Sequence, residues 1–292
     1  MRDMIRTTFI LVLALTACGP SGRDTGGDDD TTDGGNNTGG DGNSSANCSE
    51  EAKLVYTVDQ NNVLSTFNPI TKTFMDLGTL SCPAAFLATP FSMGIDRNAG
   101  AWILYSSGEL FNVDTETLNC TKTAWASPSG LMQFGMGFST DTAGGTTDTL
   151  FIAGGVGPTQ PTSSLNKLDT GSLAPSPVGT VTGWPELTGT GNAELWGFFP
   201  SATTSPRVEK IEKTTGSAAQ TFSLPTLGGE PTAWAFAFFG GDFFVFLMKD
   251  LETSTTVYQV DGANGSIKGM TPTGTRTIVG AGVSTCAPVV IL

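Results

Sequence analysis

LFNVD, residues 110–114, runs straight into the turn-forming residues Thr115, Glu116 and Thr117. Its pattern is apolar, two variable positions, apolar, then a side-chain carbonyl. The pattern returns in LSTFN (64–68), LNKLD (165–169), VEKIE (208–212) and VYQVD (257–261). A turn containing Thr, Ser or Gly follows each copy. An Asp or Asn there accepts hydrogen bonds from the backbone ahead of it and sets a hairpin turn, so each copy reads as a strand ending in a tight turn. The copies end at 68, 114, 169, 212 and 261, at intervals of 46, 55, 43 and 49 residues. Short strands recurring at roughly 45–50 residues are the mark of a β-propeller.

Working outward from the anchor, apolar runs precede it: AWILY (101–105), TLFI (149–152), ELWGFF (194–199) and FFVFL (243–247). Before these come small-residue runs: SMGI (92–95), FGMGF (134–138), TGTG (188–191) and AFAF (235–238). Gly and Ala suit innermost strands crowded on an axis. The middle strands are apolar on both faces, as stacking blades require. The first unit lacks its small-residue strand, and IVGAGVS (278–284) near the C-terminus supplies it. The expectation is an all-β fold, a propeller of five blades with four antiparallel strands each, closed by the C-terminal strand. Closure removes exposed sheet edges. A pair of β-sandwiches is the alternative.

Residues 1–17 read as an export signal: Arg2 and Arg6, then the apolar run 9–15, too short to span a bilayer. LTACG (15–19) resembles the bacterial lipobox, whose cysteine thiol takes up a diacylglycerol. That resemblance implies lipidation of Cys18, and Gly19 in place of Asp points to the outer membrane, with the inner membrane as the alternative. Residues 18–47 are acidic and rich in Gly and Asp and cannot repay ordering entropy; they are expected to be a disordered tether with a reach of about 30 Å. The propeller is assigned to residues 48–292.

The remaining cysteines are Cys48, Cys82, Cys120 and Cys286. An even number in an exported chain suggests two disulfides with three connectivities open. Ring closure favours Cys48–Cys286, locking the first blade, with Cys82–Cys120 joining the first two.

The chain has no histidine and a formal charge of −13. Histidine-dependent triads and imidazole-bound zinc are excluded, and the charge argues against a nucleic-acid partner. No metal or cofactor motif is present. Propeller ligands bind at the mouth of the axis, on segments leading into innermost strands. The polar candidates assigned to such segments are Arg97, Gln133, Glu186, Glu230 and Arg276. Glu186, in WPELTG (184–189), stands out as a carboxylate among apolar groups just before a Gly-rich inner strand. It reads as a ligand contact or general acid, against the plainer reading of a carboxylate accepting backbone N–H bonds. The aromatic runs WGFF and AWAFAFFGGDFFVFL read as inter-blade core rather than a carbohydrate platform.

LTACG, the acidic spacer, LSCPA, PFSMGIDR, FGMGF, ELTGTG, AWAFAFFGGDF and IVGAGVSTCAP together resemble a group of bacterial lipoproteins carrying an exported propeller-like domain. The repeat is similar, more distantly, to YVTN, NHL and kelch propellers, without their signature words. The resemblance implies fold and address but no particular ligand. The expected function is a membrane-tethered extracytoplasmic binding or scaffold module for a protein or glycan. The alternatives are a carboxylate-dependent glycosidase or lyase using Glu186 and Glu230, and a structural subunit of an envelope complex.

Overall fold

The computed structural model describes residues 48–291 other than Ser129 and Thr159. The expected signal, Cys18 and the tether of residues 18–47 lie outside the described residues. Within them the chain forms five four-stranded antiparallel sheets. The first contains β1 (Val55–Asp59), β2 (Val63–Asn68) and β3 (Thr73–Thr79). The second runs β4 (Pro90–Ile95), β5 (Ala101–Tyr105), β6 (Leu110–Val113), β7 (Cys120–Lys122). The third runs β8 (Gln133–Thr140), β9 (Asp148–Gly155), β10 (Thr162–Leu168), β11 (Pro175–Thr182). The fourth runs β12 (Glu186–Gly189), β13 (Leu195–Phe199), β14 (Arg207–Ile211), β15 (Ala218–Ser223). The fifth runs β16 (Pro231–Phe239), β17 (Asp242–Lys249), β18 (Thr256–Asp261), β19 (Ile267–Pro272). The last strand, β20 (Ile278–Gly282), returns to pair with β1, Tyr56 opposite Gly282 and Asp59 opposite Ile278. The innermost strands touch in the cyclic order β20, β4, β8, β12, β16 and back to β20. The ring is therefore closed by the C-terminal strand.

The recurring carbonyl does what its chemistry predicts. Asp114 Oδ1 accepts the N–H groups of Glu116 (3.0 Å) and Thr117 (2.9 Å), and Asp261 Oδ1 those of Ala263 (2.9 Å) and Asn264 (3.1 Å). Asn68 and Asp169 do the same in their turns. In all five units the N–H four residues on donates back to the anchor carbonyl at 2.8 Å, from Lys72, Leu118, Leu173, Gly216 and Gly265. Each of those residues has φ between 58° and 79°. The turns share one geometry, and the backbone bond carries it even where the longer Glu212 replaces Asp.

Five apolar clusters lie between successive blades. Tyr56, Met93 and Phe111 join blades one and two; Leu104, Phe134 and Ile152 join two and three; Phe151, Leu187 and Phe199 join three and four. Trp196, Phe236 and Phe243 join four and five, and Phe67, Phe244 and Phe246 join five and one. The aromatic runs are thus mostly inter-blade core. Outer strands such as β15 and β19 are largely exposed. Near the axis the inner strands approach backbone to backbone: a Cβ on Gly189 would lie 2.1 Å from the Phe138 carbonyl oxygen.

Cys48 is bonded to Cys286 and Cys82 to Cys120. Disulfides of this kind point to an extracytoplasmic location. No helix among the described residues is long and apolar enough to cross a membrane. Two sequence expectations need correction. The inner strand of blade four begins at Glu186 rather than Thr188, because Glu186 pairs with Phe198. Arg97 does not lead into an inner strand; it follows β4, at the end of the ring opposite the strand starts.

Candidate functional site

The inner strands all begin at one end of the ring, after Thr277 and at Pro90, Gln133, Glu186 and Pro231. A cleft of about 480 Å³ opens there, lined by residues of blades one, two, four and five. Blade one contributes the amide side chains of Gln60 and Asn61 and the hydroxyl of Thr277. Their turn is held by Asp59, whose Oδ1 accepts the N–H groups of Asn61 (2.8 Å) and Val63 (2.9 Å). Blade two contributes Phe91 and blade five Trp234, both partly exposed. The other four tryptophans, Trp102, Trp125, Trp184 and Trp196, are 8% exposed or less.

Among the described residues lining this cleft Glu186 is the only charged one, and it is 2% exposed. Its Oε1 accepts a hydrogen bond from the hydroxyl of Ser92 across the axis, and Ser92 Oγ in turn accepts the Met136 N–H at 3.1 Å. Blades two, three and four are thereby joined through one carboxyl group at the base of the cleft. Gly135 permits the close approach: a Cβ there would lie 2.2 Å from the Pro185 carbonyl oxygen and 3.1 Å from Glu186 Oε2. Burial pushes the Glu186 carboxyl well above the ordinary carboxylate range, opposed by hydrogen bonding from Ser92 and the Met136 N–H. That shift favours the neutral acid, which donates as well as accepts.

The other candidates sit elsewhere. Gln133 begins β8 and its Nε2 donates to the Ser106 carbonyl at 3.5 Å. Arg276 is on the rim, with Asp76 at 2.8 Å and the Phe74 ring centroid at 5.0 Å. Exposed Glu230 belongs to a neighbouring hollow of about 310 Å³, which shares Trp234 with the cleft and also includes Trp184 and Pro200. Arg97, at the far end, pairs with Asp148 at 2.9 Å and donates to the Gly145 carbonyl at 2.7 Å. Its guanidinium lies beside the Cys48–Cys286 disulfide, a structural setting. Glu186 and Glu230 are not brought into one cleft. Gln60, Asn61, Phe91 and Trp234 were not candidates from the sequence. The repeat alone could have pointed to Gln60 and Asn61, which occupy the turn between the second and third strands of blade one.

No protein-family pattern matches the chain, and no curated protein sequence matches it. Among solved structures, the chain is similar to one in a nidogen–laminin complex, with TM-score 0.49 and 12% identity over 78% of this chain and 97% of that one. TolB from Acinetobacter baumannii gives TM-score 0.46 and 10% identity over 80% of this chain and 54% of that one. A protein from Lactobacillus plantarum gives TM-score 0.42 and 13% identity over 80% and 72%.

Proposed function

We propose that the protein is a lipid-anchored binding module of the cell envelope, attached through Cys18 to the outer membrane by the tether of residues 18–47. Its ligand site is the axial cleft. The observation that carries the reading is the cleft itself: a concavity assembled from four blades, mixed in polarity, with a buried carboxyl at its base. The LTACG stretch supports the anchor, and the two disulfides fit an oxidising compartment. A two-carboxylate glycosidase needs its second group roughly 5–9.5 Å from the first. Among the described residues Glu186 is the one carboxyl lining the cleft and it is buried, while Glu230 stands in the hollow on the far side of Trp234, so binding is the better-supported activity. The test is affinity capture from detergent-solubilised envelopes with wild-type and Trp234→Ala protein. Recovery of a ligand by wild type alone supports the cleft; equal recovery by both refutes it. Labelled palmitate should enter the wild type and not Cys18→Ser.

One observation favours a second reading, a subunit of an envelope complex. Phe86, Leu87 and Leu251 are 93%, 81% and 94% exposed, all on loops at the cleft end of the ring. Leu87 and Leu251 also hold φ of 65° and 68°, strained for leucine. Photo-crosslinkers at Phe86 and Leu251 that trap one protein partner would support this reading.

A further inference from the structure

We infer that the cleft and the hollow beside it form one track for a neutral oligosaccharide, running across Trp234. This rests on the axial cleft being the ligand site.

The lining chemistry selects the ligand class. No Lys or Arg is among the described residues lining the cleft, and Arg276 on the rim is paired with Asp76, so a phosphate, sulfate or carboxylate would find no counter-charge there, and the chain's formal charge is −13. A metal cation would need several gathered oxygen ligands, and the track offers two separate carboxyl groups: Glu186, buried and bonded to Ser92, and Glu230 in the hollow, with no group of three or more acidic, His or Cys side chains among the described residues. A purely apolar ligand would cover the amides of Gln60 and Asn61 and the hydroxyl of Thr89 without pairing them, whereas the Thr232 and Thr277 hydroxyls donate to the Met248 carbonyl (3.1 Å) and Sδ (3.7 Å) and keep acceptor capacity toward the cleft. A polyhydroxylated ring meets all of these. Its hydroxyls pair with amide and hydroxyl groups, each able to donate and accept. Its C–H faces lie against aromatic side chains, and Phe91 and Trp234 stand on the blades either side of blade one, which carries the amides.

Length follows from the second hollow. Trp234 lines both concavities. Beyond it the walls are Trp184, Pro158, Pro200 and Pro231, with the hydroxyl of Ser201 and the exposed carboxylate of Glu230 among them, which accept from sugar hydroxyls and repel an anionic chain. Pro231 begins β16 and the Asp250 N–H donates to the Glu230 carbonyl at 2.8 Å, which fixes the ridge between the two. A single ring fills only one concavity, whereas a chain of two or more rings crosses the indole and occupies both.

The experiment uses the full chain purified in detergent. It is first applied to an array of neutral and anionic oligosaccharides. Tryptophan fluorescence then follows titration with the best neutral trisaccharide, its monosaccharide unit and a uronic-acid trimer. Trp234 is the partly exposed tryptophan, so quenching reports on the shared wall. The expected results are binding of the neutral trimer about tenfold tighter than its monosaccharide, and a loss of about tenfold or more in Trp234→Ala. The double variant Gln60→Ala/Asn61→Ala, in an exposed turn, should lose a similar factor while keeping the wild-type melting temperature. The inference is overturned if no neutral oligosaccharide on the array binds, if the uronic-acid trimer binds equally well, or if the variants bind like wild type. Equal affinity for monosaccharide and trimer overturns the track. If instead an anionic glycan or an apolar peptide is held in a Trp234-dependent way, the saccharide class falls and the axial site stands. If none of these ligands perturbs Trp234, both fall.

Discussion

The two disulfides offer a direct test of what closes the ring. Cys48–Cys286 spans 238 residues and Cys82–Cys120 spans 38. In the chain-entropy account a cross-link stabilises by restricting the unfolded chain, with a term of 1.5RT times the logarithm of loop length. That gives ceilings of about 5.5 and about 3.9 kcal/mol for the two bonds. Native-state strain and residual unfolded structure lower both figures, but the difference is sturdier because the length-independent constant cancels. It comes to about 1.6 kcal/mol in favour of the longer loop. For a domain of this size that corresponds to about 3–6 °C in melting temperature. The perturbation is paired replacement, Cys48→Ala/Cys286→Ala against Cys82→Ala/Cys120→Ala, so that no free thiol remains to reshuffle. The assay is calorimetric or far-ultraviolet melting of both variants beside wild type at one pH. The ring-closing variant should melt lower of the two by that margin. Equal melting temperatures, or the reverse order, would show that β20 is held by its backbone pairing with β1 and that the long cross-link adds no closure entropy.

Three further outcomes follow from single residues. Glu186 has a raised folded-state pKa, so its contribution is full below the ordinary value of 4.5 and declines as pH rises above it, by up to about 1.4 kcal/mol per pH unit. Glu186→Gln keeps the size and removes the titration, so the variant should melt with a flatter pH profile above 4.5; identical slopes would show that the carboxyl is not held neutral. Gly189→Ala puts a Cβ 2.1 Å from the Phe138 carbonyl oxygen and should cost about 1–3 kcal/mol by overpacking, read by urea denaturation, with no loss contradicting the close approach of β8 and β12. Leu251→Asn relieves a leucine at φ 68° that is 94% exposed and should raise stability by about 1 kcal/mol, unless the loop relaxes in solution, which an unchanged denaturation midpoint would reveal.

The fold was legible because its signals are local or periodic. The Asp114 and Asp261 turns are made by atoms within four residues of one another, so five residues of sequence contain the whole device. The missing first inner strand and the small-residue run at 278–282 complement each other without any structure in view. The cleft was legible only at Glu186. Trp234 falls in the run AWAFAFFGGDFFVFL, which reads as core, and it shares a strand face with Phe236 and Phe238, two residues apart each time. Those two are buried between blades four and five, while Trp234, nearer the start of the strand, packs against the same cluster and stays partly exposed. Period reveals the face, but the point along the strand where packing stops depends on a blade remote in sequence. For Gln60 and Asn61 the repeat gives the turn, but the residues they face, Phe91, Glu186 and Trp234, come near only in the closed ring. Arg97 was misplaced because a turn after an inner strand and a turn before one share the same Asp, Asn and Gly chemistry.

The pairing of β20 with β1 has a consequence for how the chain is made. The first sheet begun is the last finished, because its inner strand is residues 278–282. Until those residues emerge, β1 shows an unpaired edge and Cys48 has no partner. Four blades have all their strands in sequence order, but the first needs a pairing between segments more than 200 residues apart, a contact with a high loop-closure cost. A chain cut short anywhere before Ile278 therefore carries two marks of incompleteness, a sticky strand edge and a free thiol. Both marks vanish together when the ring closes, so a finished copy differs from a fragment in edge and thiol at once.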